Sequence, residues 1–238
     1  FSMIENKKIT AIVLAGGSGK RMKAQVSKQY IELKGKPILY YTLKAFEDSI
    51  ADEIILVTEQ GDEEYCRKQI VEKYGLHKIS KIVPGGRERY HSVYCGLCAI
   101  AATDIVMIHD GARPFVEEKD IEKIAGQTIL DEACVLAVRT KDTIKIADWD
   151  NWVVKTPDRK SLWQVQTPQC FQFWKIFDAY RYIIEKDENN ITDDAMVWEA
   201  YFSQPVRLVE GNYYNIKITT PEDLIFAEAI LDNRSKDK

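Results

Sequence analysis

Residues 9 to 22 read ITAIVLAGGSGKRM, a short β-rich apolar run over 9–15 that ends in glycines. A run this short, apolar almost throughout rather than alternating, suits a strand buried on both faces of a parallel sheet. The glycines let backbone N–H groups approach an oxyanion with no Cβ in the way. Lys20, Arg21, Lys23 and Lys28 follow at once, in a chain whose net charge is -4. The stretch therefore reads as a strand that runs into a polyphosphate-facing loop; the plainer alternative is a tight turn with solvated lysines. Two familiar loops are excluded. Leu14 and Arg21 stand where a Walker A loop needs its first glycine and its hydroxyl, and Met22 replaces the third glycine of a dinucleotide fingerprint whose first two would be Gly17 and Gly19.

Outward from that strand the pattern repeats. EIILVTE (53–59), KISKIVPGG (78–86), DIVMIHD (104–110) and ACVLAVR (133–139) read as further strands. Between them DEEYCRKQIVEKYG, SVYCGLCAIAA and residues 117–130 carry helical periodicity. Strands alternating with helices predict an α/β fold, a mostly parallel Rossmann-like sheet with helices on both faces. Ligands bind such sheets at the carboxyl ends of the strands, so the loops at 15–28, 84–92 and 110–114 are expected to converge. From about 140 to 163 the rhythm breaks into short alternating strands around an Asp-Trp-Asp-Asn turn, which predicts a projecting β-arm buried against a second subunit. Toward the end, Thr192 reads as a helix N-cap, and Thr220, Pro221 and Asp223 as the cap, first residue and box partner of the last helix.

The chain has 238 residues, 45% of them hydrophobic, enough for one α/β domain, read as residues 3–234. Phe1 and Ser2, ahead of Met3, read as a cloning remnant. The mildly acidic balance argues against a nucleic-acid or anionic-membrane footprint, and no apolar run approaches the length of a membrane span; a soluble, cytoplasmic protein is expected. Five cysteines, at 66, 95, 98, 134 and 170, are read as reduced thiols, the C-x-x-C at 95–98 lying within a helical pattern that has no second pair.

Candidate site residues gather in the predicted loops. HDGARPF (109–115) follows a buried strand: Asp110 can hold a ribose hydroxyl or a Mg²⁺ ion, and Arg113 can fork onto a phosphate, or the two can form a structural ion pair. In PGGRERYHSV (84–93), Gly85 and Gly86 free backbone groups for a base edge and Ser92 offers a hydroxyl. Lys217 lies in NIKITTPEDL, where a lysine also snorkels harmlessly. His109 reads as loop support rather than chemistry, and His91 flanks the serine.

The runs LAGGSGKRM, SKQY, HDGARPF, KDTIK, TPDRKSLWQVQTPQCF, TDDAMV and VEGNYYNIKITTPEDL, in this order from Ile9 to Leu231, resemble the 2-C-methyl-D-erythritol 4-phosphate cytidylyltransferases of the non-mevalonate isoprenoid pathway. The resemblance implies a homodimeric α/β enzyme that uses CTP and Mg²⁺ and releases pyrophosphate. It implies that Arg21 and Lys28 stabilise charge on the α-phosphate, and that Arg159 and Lys217 position the acceptor. It assigns Ala15, Gly16, Gly17, Gly19, Gly85, Gly86, Ser92 and Asp110 to the nucleotide, with Asp110 also near the metal. Arg113, Thr143 and Thr167 fall to the acceptor side and Thr192 beside the nucleotide, with the arm and Arg159 reaching the neighbouring subunit's site. Gly17, Ser27 and the Arg139–Thr140 pair depart from the usual pattern, the last on the acceptor side. A ribitol 5-phosphate cytidylyltransferase, which shares several of these runs, is the alternative; a nucleotide-binding module without catalysis and a nicotinamide oxidoreductase are the others. Because an acceptor phosphate is already an anion near neutral pH, the reaction needs positioning and charge neutralisation rather than a general base.

Overall fold

The computed structural model describes residues 4, 6–16, 28–186 and 190–236, with Lys28 and Lys236 described through their backbone alone. Strand β1, Ile9–Ala15, is buried along its whole length, as its apolar run predicts. After a 3₁₀ turn, Lys28–Tyr30, a small hairpin of β2 (Glu32–Leu33) and β3 (Lys36–Pro37) leads into helix α1, Ile38–Glu47. Next come β4 (Glu53–Thr58) and α2 (Glu63–Cys66), the latter continuing as a wider π-helical stretch, Arg67–Glu72. Gly75 ends that helical run with φ +61°, a left-handed conformation that suits glycine. The alternation proceeds through β5 (Ile79–Pro84), α3 (Arg89–Ala99), β6 (Ile105–Asp110), α4 (Glu118–Asp131) and β7 (Ala133–Arg139). After a separate ribbon of β8 (Ile146–Ala147) and β9 (Val153–Lys155) come β10 (Trp163–Gln172), α5 (Phe173–Lys186), α6 (Asp194–Phe202), β11 (Arg207–Glu210) and α7 (Pro221–Lys236).

The main sheet has seven strands in the order β11-β7-β10-β6-β1-β4-β5. β1 pairs in parallel with both β4 and β6, and the one reversed strand, β10, runs antiparallel to β6 and β7. The chain crosses from one side of β1 to the other, so the crevice beyond the carboxyl end of β1 lies at a topological switch point. Pleating divides the strand between two cores. Ala11 and Val13 pack with Leu39, Leu43 and Phe46 of α1 and Ile121 and Ile124 of α4. Ile12 and Leu14 pack with Val93 and Leu97 of α3, Ile176 and Ile183 of α5, and Trp198 of α6. Each large side chain so buried contributes about 1.5–3 kcal/mol, which is what fixes the loop ends above it.

Ile144, Ile146, Trp149, Trp152, Val153 and Val154 of the ribbon segment are all exposed, Trp149 fully so at 102%. The segment expected to form an arm thus holds a two-stranded ribbon separate from the main sheet, with its apolar side chains uncovered in the single chain. One expectation needs correcting. Thr192 does not cap α6: the cap is Asp193, whose carboxylate accepts from Met196 N at 3.0 Å, while the Thr192 hydroxyl lies 3.0 Å from Met196 Sδ. Asp193 is in extended conformation one residue before the helix, so its charged side chain sits at the N-cap position and reaches the free N–H, a better acceptor for a helix N-terminus than a threonine two residues out. The last helix begins as its sequence predicts, with the Asp223 carboxylate accepting from the N–H groups of Thr219 and Thr220 at 2.8 and 2.9 Å.

Candidate active site

Two neighbouring cavities open at the carboxyl ends of β1, β4, β5 and β6. The larger, about 700 Å³, is lined by Gly16, Thr58, Gly85, Gly86, Arg89 and Ser92 among others. The smaller, about 170 Å³, is lined by Ala15, Gly16, Gln29, Arg89, Asp110 and Lys217 with Gly111 and its neighbours. The three loops expected to converge therefore do so in their described parts. Gly17, Gly19 and Arg21 lie outside the described residues, as does the Lys28 side chain.

Asp110, at the tip of β6, is the hub. Its Oδ1 accepts from Arg89 Nε at 3.3 Å; Oδ2 takes Lys217 Nζ at 2.9 Å and Arg113 Nε at 3.4 Å. Burial alone would raise its pKa, but Arg89, Lys217 and Arg113 outweigh that and hold the carboxyl well below the usual carboxylate range. Arg89 is shared: its Nη1 and Nη2 form a bidentate pair with the fully buried Asp194, both bonds 2.9 Å, and Tyr180 donates its hydroxyl to the same carboxylate. Burial opposes the Arg89 charge, yet Asp194 and Asp110 push its pKa well above the ordinary value. Three cations thus face two carboxylates. The surplus positive charge falls to Lys217, whose side chain is 36% exposed against 27% for Arg89 and 12% for Arg113.

Behind the hub runs a chain of uncharged bonds. The Asp110 N–H donates to Thr167 Oγ1 at 3.0 Å, and Thr167 Oγ1 lies 3.0 Å from His109 Nδ1. His109 Nε2 lies 3.0 Å from the Arg113 carbonyl oxygen. A carbonyl only accepts, so Nε2 carries the proton and Nδ1 accepts from the threonine. Complete burial pushes His109 down to about 4, so the ring is a neutral strut at pH 7, in keeping with loop support. Asn215 Nδ2 donates to Thr167 O at 2.8 Å and Arg113 Nη1 to Asn215 O at 2.8 Å, which ties the irregular stretch carrying Lys217 to β10 and to the loop after β6.

At the larger cavity, Gly85 and Gly86 meet α3 so closely that side chains would not fit. A Cβ at Gly85 would lie 2.6 Å from Ser92 Oγ, and one at Gly86 2.4 Å from His91 Cβ. Ser92 Oγ accepts from Gly86 N at 3.1 Å, so the hydroxyl shapes the glycine turn. Arg159 and Thr143 stand apart from this cluster. Arg159 is exposed at the base of the arm and donates to Lys141 O at 3.2 Å; Thr143 is exposed on the arm. Arg139 stacks on the Trp163 ring, 4.2 Å to its centre, and donates to Lys160 O, bracing the arm where it leaves the sheet.

Arg89, Asp194 and Gln169 were not singled out by the sequence. Gln169 Oε1 accepts from Asp194 N and Ala195 N at 3.0 and 2.9 Å, fixing the start of α6 beside the hub. The available signals were an Arg three residues past the glycine pair and the second Asp of TDDAMV.

A family model described as IspD: 2-C-methyl-D-erythritol 4-phosphate cytidylyltransferase matches residues 9–233. A protein of that name from Clostridium botulinum (strain Eklund 17B / Type B) is 51% identical over 226 residues, 94% of this chain and 99% of the relative. Another, from Lachnoclostridium phytofermentans, is 48% identical over 225 residues, 94% of this chain and 97% of the relative. The crystal structure of a 4-diphosphocytidyl-2C-methyl-D-erythritol synthase from Anaerococcus prevotii superposes with a TM-score of 0.85 at 38% identity, covering 98% of this chain and 99% of that one.

Proposed function

The chain belongs to the 2-C-methyl-D-erythritol 4-phosphate cytidylyltransferase family, and from that premise we propose how its site performs the reaction. The enzyme transfers the cytidylyl group of CTP to 2-C-methyl-D-erythritol 4-phosphate, giving 4-diphosphocytidyl-2-C-methyl-D-erythritol and pyrophosphate in isoprenoid precursor biosynthesis. Relatives at about half identity carry this activity in their names, which decides against ribitol 5-phosphate as the acceptor.

The cytosine sits in the larger cavity against the Gly85–Gly86 turn and Ser92; the phosphates lie over Ala15 and Gly16 toward Lys217. The observation that carries this placement is the surplus cation of the Asp110 hub, presented at the mouth of the smaller cavity. Asp110 holds Lys217 through one of the ammonium protons, leaving the others for phosphate oxygens of CTP and of the acceptor positioned beside it. The acceptor phosphate oxygen attacks the α-phosphorus in line and pyrophosphate departs. No proton has to be removed first, so neutral His109 needs no part in the chemistry. Bringing two anions together is the barrier, which Lys217, with Arg21 and Lys28, lowers by charge neutralisation. Arg113 and Thr167 line the acceptor side, and Thr192 lies beside the nucleotide.

Among the described residues no group of three His, Cys, Asp or Glu side chains is placed to hold a metal ion. The residues present fit a Mg²⁺ ion bound mainly by the triphosphate: Asp110, whose Oδ1 carries a single weak bond to Arg89 at 3.3 Å, would be the residue to hold it. Such an ion supplies neutralisation of the polyphosphate. We further propose a cytoplasmic homodimer in which the arm, bare in the single chain, packs on a second copy and delivers Arg159 and Thr143 to its site. No helix among the described residues is long and apolar enough to cross a membrane.

The test of the dimeric site is subunit mixing. Arg159→Ala and Lys217→Ala, each nearly inactive alone, should regain up to about a quarter of wild-type pyrophosphate release after refolding together, because one mixed site in each heterodimer is intact. No recovery, with heterodimers shown to form, would place Arg159 in its own subunit's site.

A further inference from the structure

Gln29 is unexplained by anything above. It lies in the 3₁₀ turn Lys28–Tyr30, is 1% exposed, and lines the smaller cavity together with Gly16, Asp110 and Lys217. Both its Oε1 and its Nε2 are buried without a hydrogen-bond partner among the described residues. A fold rarely leaves a whole carboxamide unsatisfied, and such groups call for a reason beyond packing. The next residue shows that the turn is held in place. The Tyr30 hydroxyl donates to Asp62 Oδ2 at 2.9 Å and lies 3.1 Å from Cys66 Sγ, and its ring packs on Tyr65. The turn is therefore anchored through Tyr30, and Gln29 contributes nothing to that anchor.

We propose that Gln29 is a substrate-contacting residue, its Nε2 donating to a phosphate oxygen of bound CTP. This rests on the reading that the smaller cavity takes the nucleotide phosphates. Three features support a phosphate rather than an apolar or cationic group. Lys217 brings surplus positive charge to the same cavity, Gly16 opens its floor to backbone approach, and an amide N–H is a donor that adds no charge where three cations already gather. Binding then completes the hydrogen bonding that the free protein lacks, so the contact strengthens nucleotide affinity without serving the fold.

That last property separates a ligand contact from a structural one. Gln29→Met keeps the volume and removes both polar atoms. Replacing an unpaired buried amide by an apolar group does not lower stability, whereas losing a hydrogen bond to a charged group weakens binding about ten-fold or more. The experiment is calorimetric titration of Mg²⁺–CTP into wild type, Gln29→Met, Gln29→Glu and Lys217→Met, with the melting temperature of each free protein. Expected are a melting temperature for Gln29→Met equal to or above wild type, CTP binding at least five-fold weaker, and binding weaker still in Gln29→Glu, whose carboxylate faces the phosphates. CTP affinity of Gln29→Met within five-fold of wild type would overturn the inference. A lower melting temperature would also overturn it, since it would mark Gln29 as structural. Lys217→Met separates the two levels: if it too leaves CTP binding unchanged, the placement of the phosphates falls as well; if it weakens binding while Gln29→Met does not, the Gln29 contact alone is lost.

Discussion

Removing Arg89 should cost this protein far more than removing any surface cation. Its guanidinium forms two 2.9 Å bonds to Asp194, whose side chain is 0% exposed, and a third, longer bond to Asp110. In Arg89→Met the Asp110 carboxylate keeps Lys217 and Arg113, but Asp194 keeps only the Tyr180 hydroxyl in a fully buried position. Stranding a buried charge in this way costs about 3–5 kcal/mol. Arg89 itself is 27% exposed, so water partly screens the pair and the lower end, about 3 kcal/mol, is the expected loss. For a chain of this size that is roughly a 10 °C drop in melting temperature. Replacing both partners, as Arg89→Met with Asp194→Leu, removes the stranded charge and should recover most of the loss, giving a coupling energy of about 2 kcal/mol or more. Urea unfolding of the four proteins in the cycle, read at constant m-value, measures it. A single-variant loss below about 1 kcal/mol, or a double variant no better than the sum of the singles, would refute the buried pair as the link between the glycine turn and α6.

Three further outcomes follow from the same geometry. His109 is held at about 4 against an ordinary 6.5, so between these values the unfolded chain binds a proton that the folded one does not; stability should fall as pH drops through that window, by about 3 kcal/mol in all. His109→Gln should flatten that part of the stability curve, and parallel curves for the two proteins would contradict it. Asp193→Ala should cost about 1 kcal/mol as a lost helix cap, and Thr192→Ala less than about half of that; the reverse order would restore Thr192 as the cap. Gly86→Ala places a methyl 2.4 Å from His91 Cβ and must displace the turn, so its KM for CTP should rise more than its KM for the acceptor phosphate. Equal changes in the two would detach this turn from cytosine.

The parts of the fold that could be read in advance are those whose pattern is local. β1, β4, β6 and β7 announce themselves as short apolar runs, and Asp223 as a box partner is visible three residues past Thr220. β10 does not. Its residues WQVQTPQCFQ contain a proline and several buried polar side chains, which argues against a central strand. Pro168 is tolerated because it lies in the irregularity between Val165 and Gln169, where the ladder to β7 is interrupted. The polar residues Gln166, Thr167 and Gln169 are buried because they serve the hub and the start of α6. Strand direction likewise has no residue signature. Asp110 and Lys217 could be named from their loops, but Arg89 and Asp194 are 105 residues apart, and only the packing of the folded chain brings the starts of α3 and α6 together.

The most direct test of the account is the steady-state rate of pyrophosphate release from CTP, Mg²⁺ and 2-C-methyl-D-erythritol 4-phosphate by wild type and Lys217→Met. If the surplus cation of the Asp110 hub neutralises the reacting phosphates, the variant should keep its melting temperature within a few degrees and lose about 100-fold or more in turnover. A folded Lys217→Met enzyme turning over near the wild-type rate would contradict the claim that this hub is where the transfer takes place.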